Sequence, residues 1–139
     1  TETALLTDLD AVSGQLERLR QSGVSVAIDD FGTGYTSIAQ LRALPIDELK
    51  IDMSFVREIE ASDNAELVRM IADMARHLQI RTVAEGVETL RQHQVLEALG
   101  CDFVQGYLFS RPVPAEEFAE RVRSWNSAPE PEAPSPSAP

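Results

Sequence analysis

Asp29 and Asp30 stand side by side at the end of the apolar run Val24 to Ile28, and Phe31-Gly32-Thr33-Gly34-Tyr35 follows at once. Two neighbouring carboxylates at the rim of a core repel each other and resist losing water, so a positive partner is required between them. A divalent cation, which takes hard oxygen ligands, is the natural candidate. Other polar positions share this context: Lys50 and Asp52 close Leu49-Lys50-Ile51, Glu85 closes Ile80 to Ala84, and Gln105 follows Phe103-Val104. In parallel α/β proteins the carboxyl ends of the strands gather on one face, where sites are built. Separate segments that all end in polar groups therefore point to one catalytic face.

Lys50 is the only lysine among 12 basic residues. Arginine is a permanently charged fork, whereas lysine is a compact charge whose proton affinity burial can shift. That suits a group holding an anionic oxygen or an attacking water. Simpler readings stand beside these: turn hydrogen bonds for the aspartate pair, a helix cap for Glu85, and a solvated edge for Lys50. The shared strand-end position argues for chemistry. His77 and His93 fall in helical patterns among polar residues and read as surface histidines, and Met53, Met70 and Met74 read as core filler. Asp30-Phe31-Gly32 matches the metal-binding tripeptide of kinases without their catalytic loop. Gly32-Thr33-Gly34 is only a fragment of a phosphate loop.

The elements that must position these groups follow from periodicity. Thr1 to Gln21 carries Val12, Leu16 and Leu19 at helical spacing and ends at Ser22-Gly23. Val24 to Ile28 reads as a strand buried on both faces. Thr36 or Ser37 can cap a helix bearing Ile38, Leu41 and Leu44, which Pro45 stops. A short strand at Leu49 to Ile51 precedes one or two helical turns over Ser54 to Ile59. Ser62-Asp63-Asn64 with Glu66 is a helix-start signature ahead of the stripe Leu67, Val68, Ile71, Met74, Ala75 and Leu78. Ile80 to Ala84 is a third strand, and Thr89 with Gln92 opens a helix that closes at Gly100. Phe103-Val104 runs into Gln105-Gly106-Tyr107 as a fourth strand. Pro114 starts a last helix whose buried face is expected to be Phe118, Val122 and Trp125. The alternation implies an α/β fold with a parallel sheet and helices outside it, in about four β/α units. A closed barrel needs eight units and ~250 residues, so the ordered part equals about half of one.

The 139 residues are 43% hydrophobic, enough for one domain with a real core. A net charge of −11 argues against a surface for DNA or RNA. No apolar run reaches the ~20 residues of a membrane span. The single Cys101 cannot form an internal disulfide, which suits the cytoplasm. Residues 1–125 read as the domain. From Asn126 to Pro139 the composition turns to Pro, Ser, Ala and Glu, as expected of a disordered tail. The chain begins without methionine, on what reads as the end of a strand-to-helix turn, as expected for a piece of something longer.

Four ordered segments, Asp29 to Tyr35, Leu49 to Asp52, Val83-Ala84-Glu85-Gly86-Val87-Glu88 and Gln105-Gly106-Tyr107, resemble the successive motifs of the EAL domain. That family hydrolyses the bacterial second messenger cyclic di-GMP. The resemblance covers essentially Thr1 to Trp125 and implies part of a (β/α)8 TIM-type barrel with two Mg²⁺ or Mn²⁺ ions. By it, Asp29, Asp30 and Glu85 are metal ligands, and Lys50 and Glu85 are catalytic. Asp52, Glu88, Gln105, Gly106 and Tyr107 line the substrate. Phe31, Gly32, Thr33, Gly34 and Tyr35 form a loop coupled to homodimerisation, braced by Glu2. The implied setting is a bacterial signalling protein with a sensory or GGDEF domain upstream. The Glu-Ala-Leu motif itself and two ligands of earlier strands are absent, so the resemblance is to the second half of the domain. The implied reaction is metal-dependent hydrolysis of cyclic di-GMP to pGpG by the parent protein, with this piece alone inactive. The alternative is a degenerate EAL domain that binds cyclic di-GMP or a protein without hydrolysis.

Overall fold

The computed structural model describes residues 2–33, 37–61 and 65–127. They fall into two compact units, divided between Phe109 and Ser110. The first unit holds α1 (Glu2–Gln21), β1 (Ala27–Phe31), α2 (Ile38–Ala43), β2 (Glu48–Ile51), α3 (Met53–Ala61), α4 (Glu66–His77), β3 (Arg81–Ala84), α5 (Leu90–Ala98) and β4 (Phe103–Val104). Among the described residues the strands form one parallel sheet in the order β1-β2-β3-β4. The α/β architecture follows the alternation in the sequence.

Strand periodicity divides the work between the two faces of this sheet. Leu49 and Ile51 of β2 and Ala84 of β3 are buried in a core shared with Val56 and Ile59 of α3, Val68, Ile71 and Ala75 of α4, and Leu96 of α5. The opposite face carries Glu48 and Lys50 of β2 and Arg81 of β3, where Arg81 Nη2 donates to Glu48 Oε1 at 2.8 Å. The local signals read from the sequence hold where capping dictates them. Ser37 and Gln40 make a reciprocal box at α2, and Thr89 and Gln92 do the same at α5. Gln40 completes a box that the sequence reading left at a single cap.

Several expectations are corrected. The first strand is Ala27–Phe31 rather than Val24 to Ile28, and it is not buried on both faces: among the described residues only β2 pairs with it, and Val24 is exposed. Val12 and Leu19 of α1 also stay exposed. That helix is fixed by polar contacts, Ser13 Oγ to the Ala43 carbonyl and Arg20 in a fork on Asp47, whose other bond takes the Val26 amide. Met70 is exposed, not core, because it lies on the outer side of α4. β4 stops at Val104, so Gln105-Gly106-Tyr107 follows the strand. The α4 cap is Ala65, without a side-chain bond; Ser62, Asp63 and Asn64 lie outside the described residues.

The second unit contains α6 (Ala115–Ser127), two residues longer than the expected boundary at 125. Phe118, Val122 and Trp125 are exposed, against the expected buried face, since residues 110–127 include no second element to cover them. The Pro-rich segment beyond Ser127 lies outside the described residues.

Beyond β3 and β4 the backbones remain locked together. Gln105 N donates to Ala84 O, Val87 N to Gln105 O and Leu108 N to Val87 O, at 2.8, 3.0 and 2.9 Å. A side chain at Gly106 would run into the Val87 backbone. Gly106→Ala is therefore expected to cost about 1–3 kcal/mol by overpacking against atoms that cannot rotate away. Urea unfolding checks this; an unchanged midpoint would show that these segments are not locked.

Candidate metal and active site

The aspartate pair lies within β1, at an irregularity in its pairing. Ile28 faces Leu49 and Phe31 faces Ile51, so β1 spends one residue more than β2 across this stretch. Such a bulge bends the strand and re-aims its side chains. In a regular strand adjacent side chains point to opposite faces. Here Asp30 takes a positive φ of 49°, a left-handed conformation that aspartate tolerates better than most residues. Thr33 holds the turn: its amide and hydroxyl both donate to the Asp30 carbonyl, at 3.3 and 2.9 Å.

The result is convergence. Asp29, Asp30 and Glu85 each offer a carboxylate oxygen, and these atoms lie within 4.8 Å of one another. Glu85 comes from the turn after β3, where its amide donates to Ile51 O at 3.1 Å. Lys50, on the strand between, donates from Nζ to Asp29 Oδ1 at 2.7 Å and lies 2.5 Å from Glu85 Oε1. The Lys50 and Glu85 side chains are 25% and 18% exposed, while Asp29 is 67% exposed. The hydrogen bonds that Lys50 donates to Asp29 and then to Glu85 hold its ammonium above the ordinary lysine range, against the opposing effect of burial. The bond from Lys50 in turn holds the Asp29 carboxyl below its usual value.

Three carboxylates and one ammonium leave an excess of two negative charges. This all-oxygen donor set fits a hard divalent cation of the Mg²⁺ or Mn²⁺ kind. It is poorly suited to a soft metal, which would seek thiolates or imidazoles. Cys101 and the two histidines are not in this cluster. His77 is exposed, with Nδ1 2.7 Å from the Asp73 carbonyl oxygen. His93 is half-buried, edge-on to Phe109, rather than simply at the surface.

The remaining candidates are arranged around the same strand ends. Asp52 follows β2, and its Oδ1 accepts from the Ser54 amide at 2.9 Å and from the Ser54 hydroxyl at 2.5 Å. These bonds from Ser54 lower the Asp52 carboxyl and make it a cap for the first turn of α3. The Asp-x-Ser spacing was a readable signal for that role, and Ser54 was missed. Glu88 is exposed, its amide donating to Gln92 Oε1. Gln105 and Tyr107 are exposed and Gly106 is half-buried beside Val87. Phe31 packs against the core, and Gly32 and Thr33 form the turn. Gly34, Tyr35 and the Glu2 side chain lie outside the described residues.

Comparison with known proteins places the chain as a whole in a family. The EAL domain family matches residues 1–112. The chain is 50% identical over 126 residues to the cyclic di-GMP phosphodiesterase NbdA of Pseudomonas aeruginosa, covering 90% of this chain and 16% of NbdA. It is 46% identical to that organism's bifunctional diguanylate cyclase/cyclic di-GMP phosphodiesterase MucR, over 88% of this chain and 18% of MucR. The MucR phosphodiesterase, solved as a c-di-GMP complex, superposes with a TM-score of 0.73 at 48% identity, over 80% of this chain and 45% of that one. Klebsiella pneumoniae BlrP1, solved as a manganese/cy-diGMP complex, gives a TM-score of 0.62 at 38% identity, over 71% of this chain and 26% of that one. The chain thus spans less than half of these relatives. The motif order, the parallel sheet and the matched residues together establish that this chain belongs to the EAL domain family.

Proposed function

We propose that this chain is part of a metal-dependent phosphodiesterase that hydrolyses cyclic di-GMP to the linear dinucleotide pGpG in bacterial signalling. The observation that carries the reading is the convergence of Asp29, Asp30 and Glu85 around Lys50. Asp29, Asp30 and Glu85 would hold Mg²⁺ or Mn²⁺, with two ions in the complete domain. When bound, the cations polarise a phosphoryl oxygen and offset the charge that builds during in-line attack.

The chain's own groups have distinct tasks. Lys50 is tied to two carboxylates and stays an ammonium, so it donates a hydrogen bond to water or phosphoryl oxygen and is not the base. Glu85 takes the proton of an attacking water. Asp52, Glu88, Gln105, Gly106 and Tyr107 border the dinucleotide, and the Phe31 to Tyr35 loop, braced by Glu2, links the site to a homodimer. A sensory or GGDEF domain upstream and a cytoplasmic location complete the proposal. No described helix is long and apolar enough to cross a membrane.

The test is to join the chain to the part of the MucR EAL domain that it does not span and to assay cyclic di-GMP with Mg²⁺ or Mn²⁺. Turnover is expected in the joined protein, with a drop of roughly 10²–10⁴-fold in Glu85→Gln, and none in the 139-residue chain alone. Binding without turnover in the joined protein would instead mark a receptor.

A second expectation concerns the ion pairs in metal-free buffer. Asp29's depressed carboxyl means the Asp29–Lys50 contribution is present above the ordinary aspartate range and is lost as pH falls through the shifted value. Lys50's raised ammonium means it persists below the ordinary lysine range and is lost as pH rises through the shifted value. Lys50→Met should return the Asp29 titration, followed by carboxyl NMR, toward its ordinary value of 3.8. An unmoved titration would remove Lys50 as the cause.

A further inference from the structure

The first turn of α3 lies against both loops that carry the candidate ligands. A Cβ on Gly32, just beyond Asp29-Asp30, would run into the Phe55 ring. A Cβ on Gly86, just beyond Glu85, would lie 2.5 Å from Met53 Cβ. Both glycines have positive φ, 102° and 69°, so each loop bends sharply where it meets α3. The turn itself is fixed. Ser54 donates twice to Asp52, and the Phe55 amide donates to the Asp52 carbonyl at 3.1 Å. Phe55 also packs against the core, while the next residue, Val56, is fully buried in it.

We infer that Met53 and Phe55 are positioning residues: a two-sided wedge that sets the spacing between the Asp29-Asp30 bulge and the Glu85 turn. Neither side chain offers an oxygen ligand. Phe55 acts through Gly32 on the bulge, and Met53 acts through Gly86 on Glu85. Because Asp52 anchors the wedge, its capping bond to Ser54 also acts on the metal face through α3, separately from any contact it makes with the dinucleotide. This inference rests on the reading of Asp29, Asp30 and Glu85 as a cation site for its effect on affinity, and on the loop contacts alone for its effect on the backbone.

Mn²⁺ binding to the 139-residue chain, read from loss of the free-ion electron paramagnetic resonance signal, tests the first part. Phe55→Ala and Met53→Ala are each expected to weaken Mn²⁺ by roughly 10–100-fold, the range for groups that orient ligands from behind. Phe55→Leu should recover part of the loss. Val56→Ala, a core truncation in the same helix, should lower the melting temperature and leave Mn²⁺ affinity near the parent's. Equal loss in Val56→Ala, or none in Phe55→Ala, would overturn the inference. Amide hydrogen exchange separates this from failure of the cation reading. Without metal, Phe55→Ala should selectively speed exchange at Thr33, and Met53→Ala at Glu85 and Val87. If the parent chain binds no Mn²⁺ yet these amides respond, the cation reading fails and the wedge stands; unresponsive amides overturn the wedge.

Discussion

One lysine holds this face together. Lys50 lies on β2, between the strands that carry its partners, and its ammonium reaches Asp29 on one side and Glu85 on the other. Carboxylates brought this close repel each other, and only a cation makes the arrangement tolerable. The position within β2 is fixed in turn by Leu49 and Ile51, whose complete burial against the helices turns Lys50 to the opposite face.

The bulge in β1 is the complementary device. It spends one extra residue and places Asp30 in an uncommon backbone region, so that two adjacent side chains serve one site. Sparsely populated backbone at such a place is held by its surroundings. Here the surroundings are Thr33, which caps the Asp30 carbonyl, and the Phe55 ring against Gly32. Fold and site are thus coupled through α3, a helix that contributes no ligand.

The sequence made the element order and the polar strand ends readable because both follow from short-range patterns. Short apolar runs marked β2 and β3, and Thr89 with Gln92 marked the start of α5. What depends on partners across the sheet was not readable. The β1 boundary shifted because its exposed aspartates count against a strand, yet pairing with β2 extends it through Phe31. The stripe of α6 looked like a buried face because periodicity records amphipathicity and not what covers it. Asp52 read as a site carboxylate from its strand-end place, and the Ser54 bonds add a capping role to it. The bulge left no mark beyond the Asp-Asp pair itself.

The central claim is that Asp29, Asp30 and Glu85 together receive divalent cation and that Lys50 stands in for it beforehand. Anomalous diffraction at the manganese edge, from crystals of the chain grown with Mn²⁺, addresses this most directly. The account predicts manganese on oxygens of all three carboxylates, with Lys50 Nζ moved off at least one of its present partners. Manganese bound elsewhere, with Lys50 still bridging Asp29 and Glu85, would contradict it.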